Sequence, residues 1–568
     1  MTESSVSGSI IKGSISLNAD AQPVYDPYRV TISCVLLGHD YTHEMQVISQ
    51  VFFPCARFSF CGKVPNKGIA VVGKYHGGAF EGEMYNNGQK ISGTILRIED
   101  EAEKAAKRTL MLAVFFALKE ATGMPTPWGA LTGVRPAKQV RLWLEEGIEP
   151  IVIIDRLSRV YGLRDDKIQL AMDVAVAEQS LVKKIKELNN DERKTDTSET
   201  DTSKSNALYV GIPFCPSRCL YCSFVVSHKP KPDAHKRFLD ALEVDINKIS
   251  GVKNKTGCNI IYVGGGTPTA LSEGDLKRLL EILNPFISNM KSGDMKNSVM
   301  KNSDTKNNVY TAEYQSEYQS EFQSEYQNEY QHECIVDKFI EYTVEAGRPD
   351  SITHEKLKLL KEYGVTRIAI NPQTLNDATL TQIGRAHTSA DFFKAYEMAL
   401  HAGFDNINTD IIVGLPGEGP DDIRHTMDGL KKLAPAHVTV HTLAVKRASR
   451  LNEHRMDNLM MHGYNQYCDI AQFDMIDSML CIAREACEEM GLSPYYMYRQ
   501  KNMVGHFENV GYSLPGYECL YNVAMMAEVQ TVVGIGAGAV TKIVENSLIR
   551  REFKPKDVET YIRQMFEE

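Results

Sequence analysis

The chain has 568 residues, with 63 Lys and Arg against 73 Asp and Glu, a formal net charge of −10 and 43% apolar residues. That length exceeds one ordinary core and predicts more than one domain, and the apolar and charged fractions are those of a globular protein. The acidic balance, with no long basic stripe, argues against nucleic acid as the main partner, because little counterion release is on offer.

In chain order, Met1 to Asp20 is polar and Ser-rich with no apolar signal region. No run approaches the roughly 18 apolar residues that span a bilayer, so no membrane span is expected. Residues from about Tyr28 to Ile98 read as short strands with turn signals, Tyr85-Asn86-Asn87-Gly88 among them. A helix is predicted from Glu101 to Thr122, because Leu110, Ala113, Val114, Ala117 and Leu118 share one face. The Gly/Pro-punctuated stretch Pro127 to Lys138 leads into further helix. Residues 1–188 are read as an α+β accessory domain. Residues 189–206 contain no apolar residue and read as a disordered linker.

Six apolar, β-rich segments follow: Ala207–Gly211, Asn259–Gly264, Phe339–Ala346, Thr366–Asn371, Asn406–Gly414 and Ala436–Thr442. Amphipathic stretches near 233–250, 274–289, 353–363, 389–402 and 420–433 separate them. Regular β-then-α alternation predicts a parallel sheet with right-handed crossovers, here a partial (β/α)6 barrel over 207–445. Its chemistry belongs at the C-terminal ends of the strands. Residues 288–333 interrupt the alternation with a low-complexity insertion, including EYQSEYQSEFQSEYQNEYQHE from Glu313 to Glu333. Residues 446–568 form a C-terminal extension. Within it Gly534-Ile-Gly536-Ala-Gly538-Ala539 matches G-x-G-x-x-A, but too little chain follows for a dinucleotide-binding unit, so a close-packed turn is expected.

The densest chemistry lies just after the first predicted strand, in Cys215-Pro-Ser-Arg-Cys219-Leu-Tyr-Cys222, followed by Phe224. Iron–sulfur clusters are normally held by four thiolates, so three close thiols suggest a cubane with one iron open to a small molecule. A zinc knuckle is the plainer alternative, but zinc ribbons prefer two separated Cys pairs and none stands at matching spacing. The nine other cysteines are scattered, as small core hydrophobes in a reducing compartment would be, and a cytoplasmic location is expected. After the second strand comes Gly264-Gly265-Gly266-Thr267-Pro268, where absent side chains admit a ligand to the backbone. Glu345 ends the third strand, Asn371-Pro372-Gln373 the fourth, and Asp410 interrupts the fifth before Gly414-Leu415-Pro416-Gly417. Polar residues in apolar strands are costly unless they are paired or bind something.

Tyr209 to Phe224, GGGTP, Val344-Glu345-Ala346 and GLPG together resemble the oxygen-independent coproporphyrinogen III oxidase family of radical S-adenosylmethionine (SAM) proteins. Residues 132–138, 441–449, 497–502 and 508–518 resemble its HemZ-type coproporphyrinogen dehydrogenase branch. The resemblance implies a [4Fe-4S] cluster on Cys215, Cys219 and Cys222, with SAM on the fourth iron. It places SAM contacts at Tyr209, Tyr221, Phe224, Gly265, Gly266, Thr267, Glu345, Gln373, Arg385 and Asp410. It also implies a tetrapyrrole substrate, a low-potential donor of flavodoxin or ferredoxin type, and oxidative decarboxylation of propionates to vinyls in porphyrin and haem biosynthesis. Gly211 stands where the decarboxylating branch has a His, and Phe224 where it has a further Cys. Cations for substrate carboxylates are expected among Lys446, Arg447, Arg450, Arg499 and Lys501. His437 and His441 share one face and are read as core or substrate-contact residues. Two other functions stay open: a haem chaperone, and a radical SAM methyltransferase or haem-opening enzyme acting on another tetrapyrrole.

Overall fold

The computed structural model describes residues 31–53, 56–98, 103–133, 135–191, 206–248, 258–291, 341–444, 449–453, 470–500, 507–545 and 548–567. Most of the expected linker, the Glu313–Glu333 repeat, Lys446, Arg447 and Lys501 lie outside the described residues.

The N-terminal region is a five-stranded sheet of β1 (Thr31–Leu37), β2 (Arg57–Cys61), β3 (Ile69–His76), β4 (Ala79–Asn86) and β5 (Gln89–Arg97), in the order β2-β1-β3-β4-β5. β1 is parallel to both neighbours, while β3, β4 and β5 form an antiparallel meander. Asn87 and Gly88 link β4 to β5 with φ of 50° and 77°; two successive positive φ values give the turn whose twist matches a hairpin. The helix Glu103–Thr122 covers this sheet, and Leu110, Ala113, Val114, Ala117 and Leu118 are all fully buried, the face that their spacing predicts. The helix Thr42–Phe52 is a departure from the all-strand reading. Its Val, Ile and Phe content resembles a strand, but Met45, Ile48, Ser49 and Phe52 recur at helical spacing and are buried.

The second sheet has eleven strands. Its centre is six adjacent parallel strands in chain order: β6 (Asn206–Ile212), β7 (Cys258–Gly265), β8 (Glu341–Gly347), β9 (Arg367–Ile370), β10 (Ile407–Val413) and β11 (His437–Thr442). The crossover helices are Ala234–Lys248, Glu273–Lys291, His354–Glu362, Ser389–His401 and Pro420–Leu433. Their starts follow local capping chemistry. Thr353 accepts the Lys356 N–H, and Thr388 with Asp391 forms a reciprocal capping box. The result is the expected partial (β/α)6 barrel: helices cover the apolar face of the strands, and the other face carries polar side chains such as Glu341 and Glu345 on β8 and Asn408 and Asp410 on β10.

The C-terminal extension adds strands to both sides of that barrel. β12 (Ser493–Tyr498) and β13 (Asn509–Ser513) continue antiparallel beyond β11. On the other side β14 (Val532–Gly536) pairs parallel with β6, followed by β15 (Val540–Glu545) and β16 (Leu548–Phe553). The Gly534–Ala539 stretch is therefore not wholly a turn. Gly534 to Gly536 end a strand, and only the remainder turns back into β15.

One large core joins the barrel to the helical segment after Trp128. It includes Trp128, Val140, Trp143, Leu170 and Val174 alongside Val210, Val263, Val344, Ile368 and Ile411, whereas the five-stranded sheet keeps a core of its own. Polar ties reinforce that junction. Glu508 accepts from Trp128 Nε1 at 2.6 Å and from Lys167 Nζ at 2.7 Å. Arg135, Lys138 (2.7 Å), Lys542 (3.1 Å) and Arg551 (3.4 Å) surround Glu528, which precedes β14. Burial opposes charge on Glu528, but these cations outweigh it and hold its carboxyl at about 2. The start of β14 lies beside the start of β6, so Arg135 and Lys138 sit at the barrel end opposite the cysteines.

Candidate functional site

The cysteine loop leaves the end of β6 and is pinned from several sides. Cys215 N donates to Ser227 O and Ser227 N to Pro213 O, closing its first turn. The loop after β7 rests directly on it: Gly266 N donates to Ile212 O and Thr267 N to Phe214 O, both at 2.7 Å. A Cβ at Gly266 would overlap the Phe214 carbonyl, so this approach requires glycine. Thr267 Oγ1 then lies 3.1 Å from Cys215 Sγ. Leu220 N donates to Ile383 O and Cys222 N to Cys219 O, which folds the rest of the loop over the segment after Gln373.

Cys219 is buried, and two guanidinium groups face its sulfur, Arg348 Nη1 at 3.5 Å and Arg385 Nη1 at 4.0 Å. Burial pushes the Cys215 and Cys222 thiols upward, and the neighbouring Cys219 adds like-charge repulsion to both. Among the described residues no three His, Cys, Asp or Glu side chains converge as a single metal ion demands. A cubane makes no such demand, since each thiolate takes its own iron.

Beside the thiols lies a set of polar side chains on strand ends. Glu345, on β8, accepts from Tyr262 OH at 2.6 Å and from Gly265 N at 3.3 Å. Burial pushes its carboxyl up to about 7, Tyr262 and the Gly265 N–H pull it down, and nearby Asp410 adds to the rise. Tyr262 stacks on Tyr521 with ring centroids 4.3 Å apart, and Tyr209 stacks on both. Asp410, on β10, accepts from Asn408 Nδ2 at 2.6 Å and lies 3.7 Å from His441 Nε2. Burial disfavours its charge, but His441, Asn408 and Thr439 outweigh that and hold it below the usual carboxylate range. Tyr498 OH lies 3.4 Å from the other ring nitrogen of His441. Gln373 adopts a φ of 70° and is locked there by Gln373 N to Asp410 O and Ile412 N to Gln373 O. Positive φ in a non-glycine residue is held strain, of the kind that clusters at binding sites.

The structure thus brings Cys215, Cys219, Cys222, Tyr209, Gly265, Gly266, Thr267, Glu345, Gln373, Arg385 and Asp410 to one end of the barrel. Other expected residues join it only in part. The Tyr221 ring lies against Leu380, Ile412, Leu415 and Leu451 while its hydroxyl bonds the Cys219 sulfur near Arg385, and the Phe224 backbone bonds Cys222 although its side chain is 55% exposed. Arg499 is buried; it donates to Leu131 O at 2.5 Å and covers the Trp128 ring at 5.6 Å, a tie between the helical segment and the extension. Arg348, Tyr262 and Tyr498 at this end carry no signal of their own in the sequence, whereas His441 is one of the two histidines expected in the core or at the substrate. A lone arginine three residues past Glu345 carries no signal until its burial is seen.

The arrangement fits a bound cluster and a zwitterionic ligand. Buried cations crowd one thiol, as an anionic metal–thiolate group requires. Arg385 Nε, fully buried, has no hydrogen-bond partner among the described residues.

Comparison with known proteins agrees. The Radical SAM superfamily model matches residues 209–430. The oxygen-independent coproporphyrinogen-III oxidase-like protein HemZ of Bacillus subtilis (strain 168) is 33% identical over 469 residues, 82% of this chain and 79% of that protein. The haem chaperone HemW of the same organism is 32% identical over 241 residues, 42% of this chain and 50% of its own. Among solved structures, coproporphyrinogen III oxidase HemN of Escherichia coli aligns with a TM-score of 0.44 and 18% identity, covering 64% of this chain and 70% of that one. Radical SAM proteins use a [4Fe-4S] cluster together with SAM, and both belong to this site. The chain is a member of the HemZ-like, oxygen-independent coproporphyrinogen-III oxidase-like family of radical SAM proteins.

Proposed function

We propose that this protein carries out SAM-dependent oxidative decarboxylation of coproporphyrinogen III, converting two propionates to vinyl groups. The observation that carries this reading is the breadth of the HemZ relationship, about four-fifths of both chains. In it, Cys215, Cys219 and Cys222 would hold the cluster, with SAM bound beside it. Cluster and SAM together supply a carbon-centred radical able to take a hydrogen atom from an unactivated carbon.

The chain's own residues orient and shield. The Gly265–Thr267 backbone and Glu345 face the SAM ammonium, Arg385 and Gln373 its carboxylate side, and Asp410 a ribose hydroxyl. Tyr209 lies beside the methionyl group. Each propionate would lose its β hydrogen as an atom and then carbon dioxide, the one electron left over passing to a one-electron acceptor. The barrel wall keeps water from the reacting carbon. The donor is a low-potential flavodoxin or ferredoxin.

A second reading is haem delivery without turnover, favoured by the HemW match over 241 residues. One anaerobic assay separates the two. Reconstituted protein is incubated with SAM, dithionite and coproporphyrinogen III, and porphyrins and nucleosides are read by mass spectrometry. Substrate-dependent 5′-deoxyadenosine with loss of two carbon dioxides is expected. An unchanged porphyrin together with tight, stoichiometric haem binding overturns decarboxylation in favour of delivery.

A further inference from the structure

We propose that Arg348 is a positioning residue that sets the reduction potential of the cluster through Cys219. Its side chain is 2% exposed, among the largest fully buried ones in the molecule. A guanidinium removed from water is costly unless its donors are used. Two of its nitrogens are committed to Asp350, Nε to Oδ1 at 3.0 Å and Nη2 to Oδ2 at 3.1 Å. This two-pronged pairing fixes the plane of the group. The remaining nitrogen, Nη1, is thereby aimed at Cys219 Sγ, 3.5 Å away. The direct guanidinium contact is to Cys219: Cys215 feels Arg348 from farther off while its sulfur meets the Thr267 hydroxyl, and Cys222 packs into the loop backbone.

The consequence is electrostatic. One electron from an external donor adds one negative charge to the cluster and its thiolates. A fixed positive charge beside one of those sulfurs stabilises the reduced form more than the oxidised one, and so raises the potential. Charge and hydrogen bonding at the sulfurs are the protein's main levers on such potentials. Asp350 works in the opposite sense, but it stands behind the guanidinium, farther from the sulfur. Removing Arg348 therefore lowers the potential, and neutralising Asp350 raises it. Arg385 keeps one cation near Cys219 in either case, so the cluster still loads.

The inference rests on the family's cluster and not on any substrate. The test is an EPR-monitored redox titration of the full-length, anaerobically reconstituted protein without SAM or porphyrin. Arg348→Gln is expected to hold parental iron while its reduction equilibrium constant falls at least tenfold, about 59 mV for a one-electron couple. Asp350→Asn is expected to shift the opposite way. A parental potential in fully loaded Arg348→Gln overturns the proposal, as do shifts of the same sign in both variants, which would mark a packing defect. Should Arg348→Gln fail to load, Asp350→Asn decides alone, and an unshifted potential there overturns it.

Discussion

Two carboxylates on one strand show how differently the ends of the barrel treat buried charge. Glu341 and Glu345 lie on the same face of β8, four residues or about 13 Å apart. Glu341 is saturated by the protein itself: it accepts from the backbone N–H groups of Leu520 and Tyr521 and from the Cys519 thiol, with Arg367 nearby. Glu345 has one phenol and one long amide contact. Between them the Tyr262–Tyr521 stack makes a floor, Tyr262 bonding the upper carboxylate and the Tyr521 N–H the lower. A buried carboxyl whose oxygens the fold itself occupies holds structure together, although burial still raises it. One left partly unmet, beside an unpartnered Arg385 Nε and a strained Gln373, is reserved for something that binds.

The largest effect expected at the upper end comes from Cys219→Ala. Iron and the broad visible absorbance of the reconstituted protein should be lost, and 5′-deoxyadenosine formation abolished, with the apoprotein's thermal unfolding nearly unchanged. A full complement of iron in that variant would remove Cys219 from the ligand set. Next come the two glutamates as a crossed pair. Glu341→Gln sets an amide NH2 against the backbone N–H donors of Leu520 or Tyr521 in a dry interior, and should cost about 3 kcal/mol in denaturant unfolding. Glu345→Gln mimics the neutral acid and should cost less than about 1 kcal/mol, while weakening SAM binding at least tenfold by calorimetry. If the two variants exchange these signatures, the division between a structural and a binding end fails.

The elements legible in the sequence are those whose signal is local. β6 to β11 are short apolar-rich runs that end near glycine or a polar side chain and alternate with amphipathic helices, so their order and bounds follow closely from the residues. The cysteine spacing and the GGGTP loop are equally local. What could not be read depends on pairing over long separations. β14 joins β6 from more than 300 residues away, and its two glycines resemble a turn when read alone. Arg499 shows the same limit for a side chain: its charge suggested the substrate side, and only packing against Trp128 and Leu131 shows a different task. Arg348 is the converse, a charge with no motif, made conspicuous by burial beside Cys219.

The smallest effect is also the sharpest probe of Glu345. Burial raises its carboxyl to about 7, so near neutrality the group is divided between acid and carboxylate. The sign follows from the direction of that shift. A raised acid binds its proton more tightly in the folded state, so its share of apoprotein stability falls as pH rises from the unfolded value, about 4.3, through 7. Binding a cation reverses the preference. The ammonium of SAM needs the carboxylate, so its affinity should climb from pH 6 to pH 8 by up to about tenfold and then level off, with proton release at the lower end. Asp410 is held below the usual range and is already ionised across this window, so it adds no slope. Glu345→Gln should flatten the profile. A slope that survives in this variant would assign the titration to another group at the upper end.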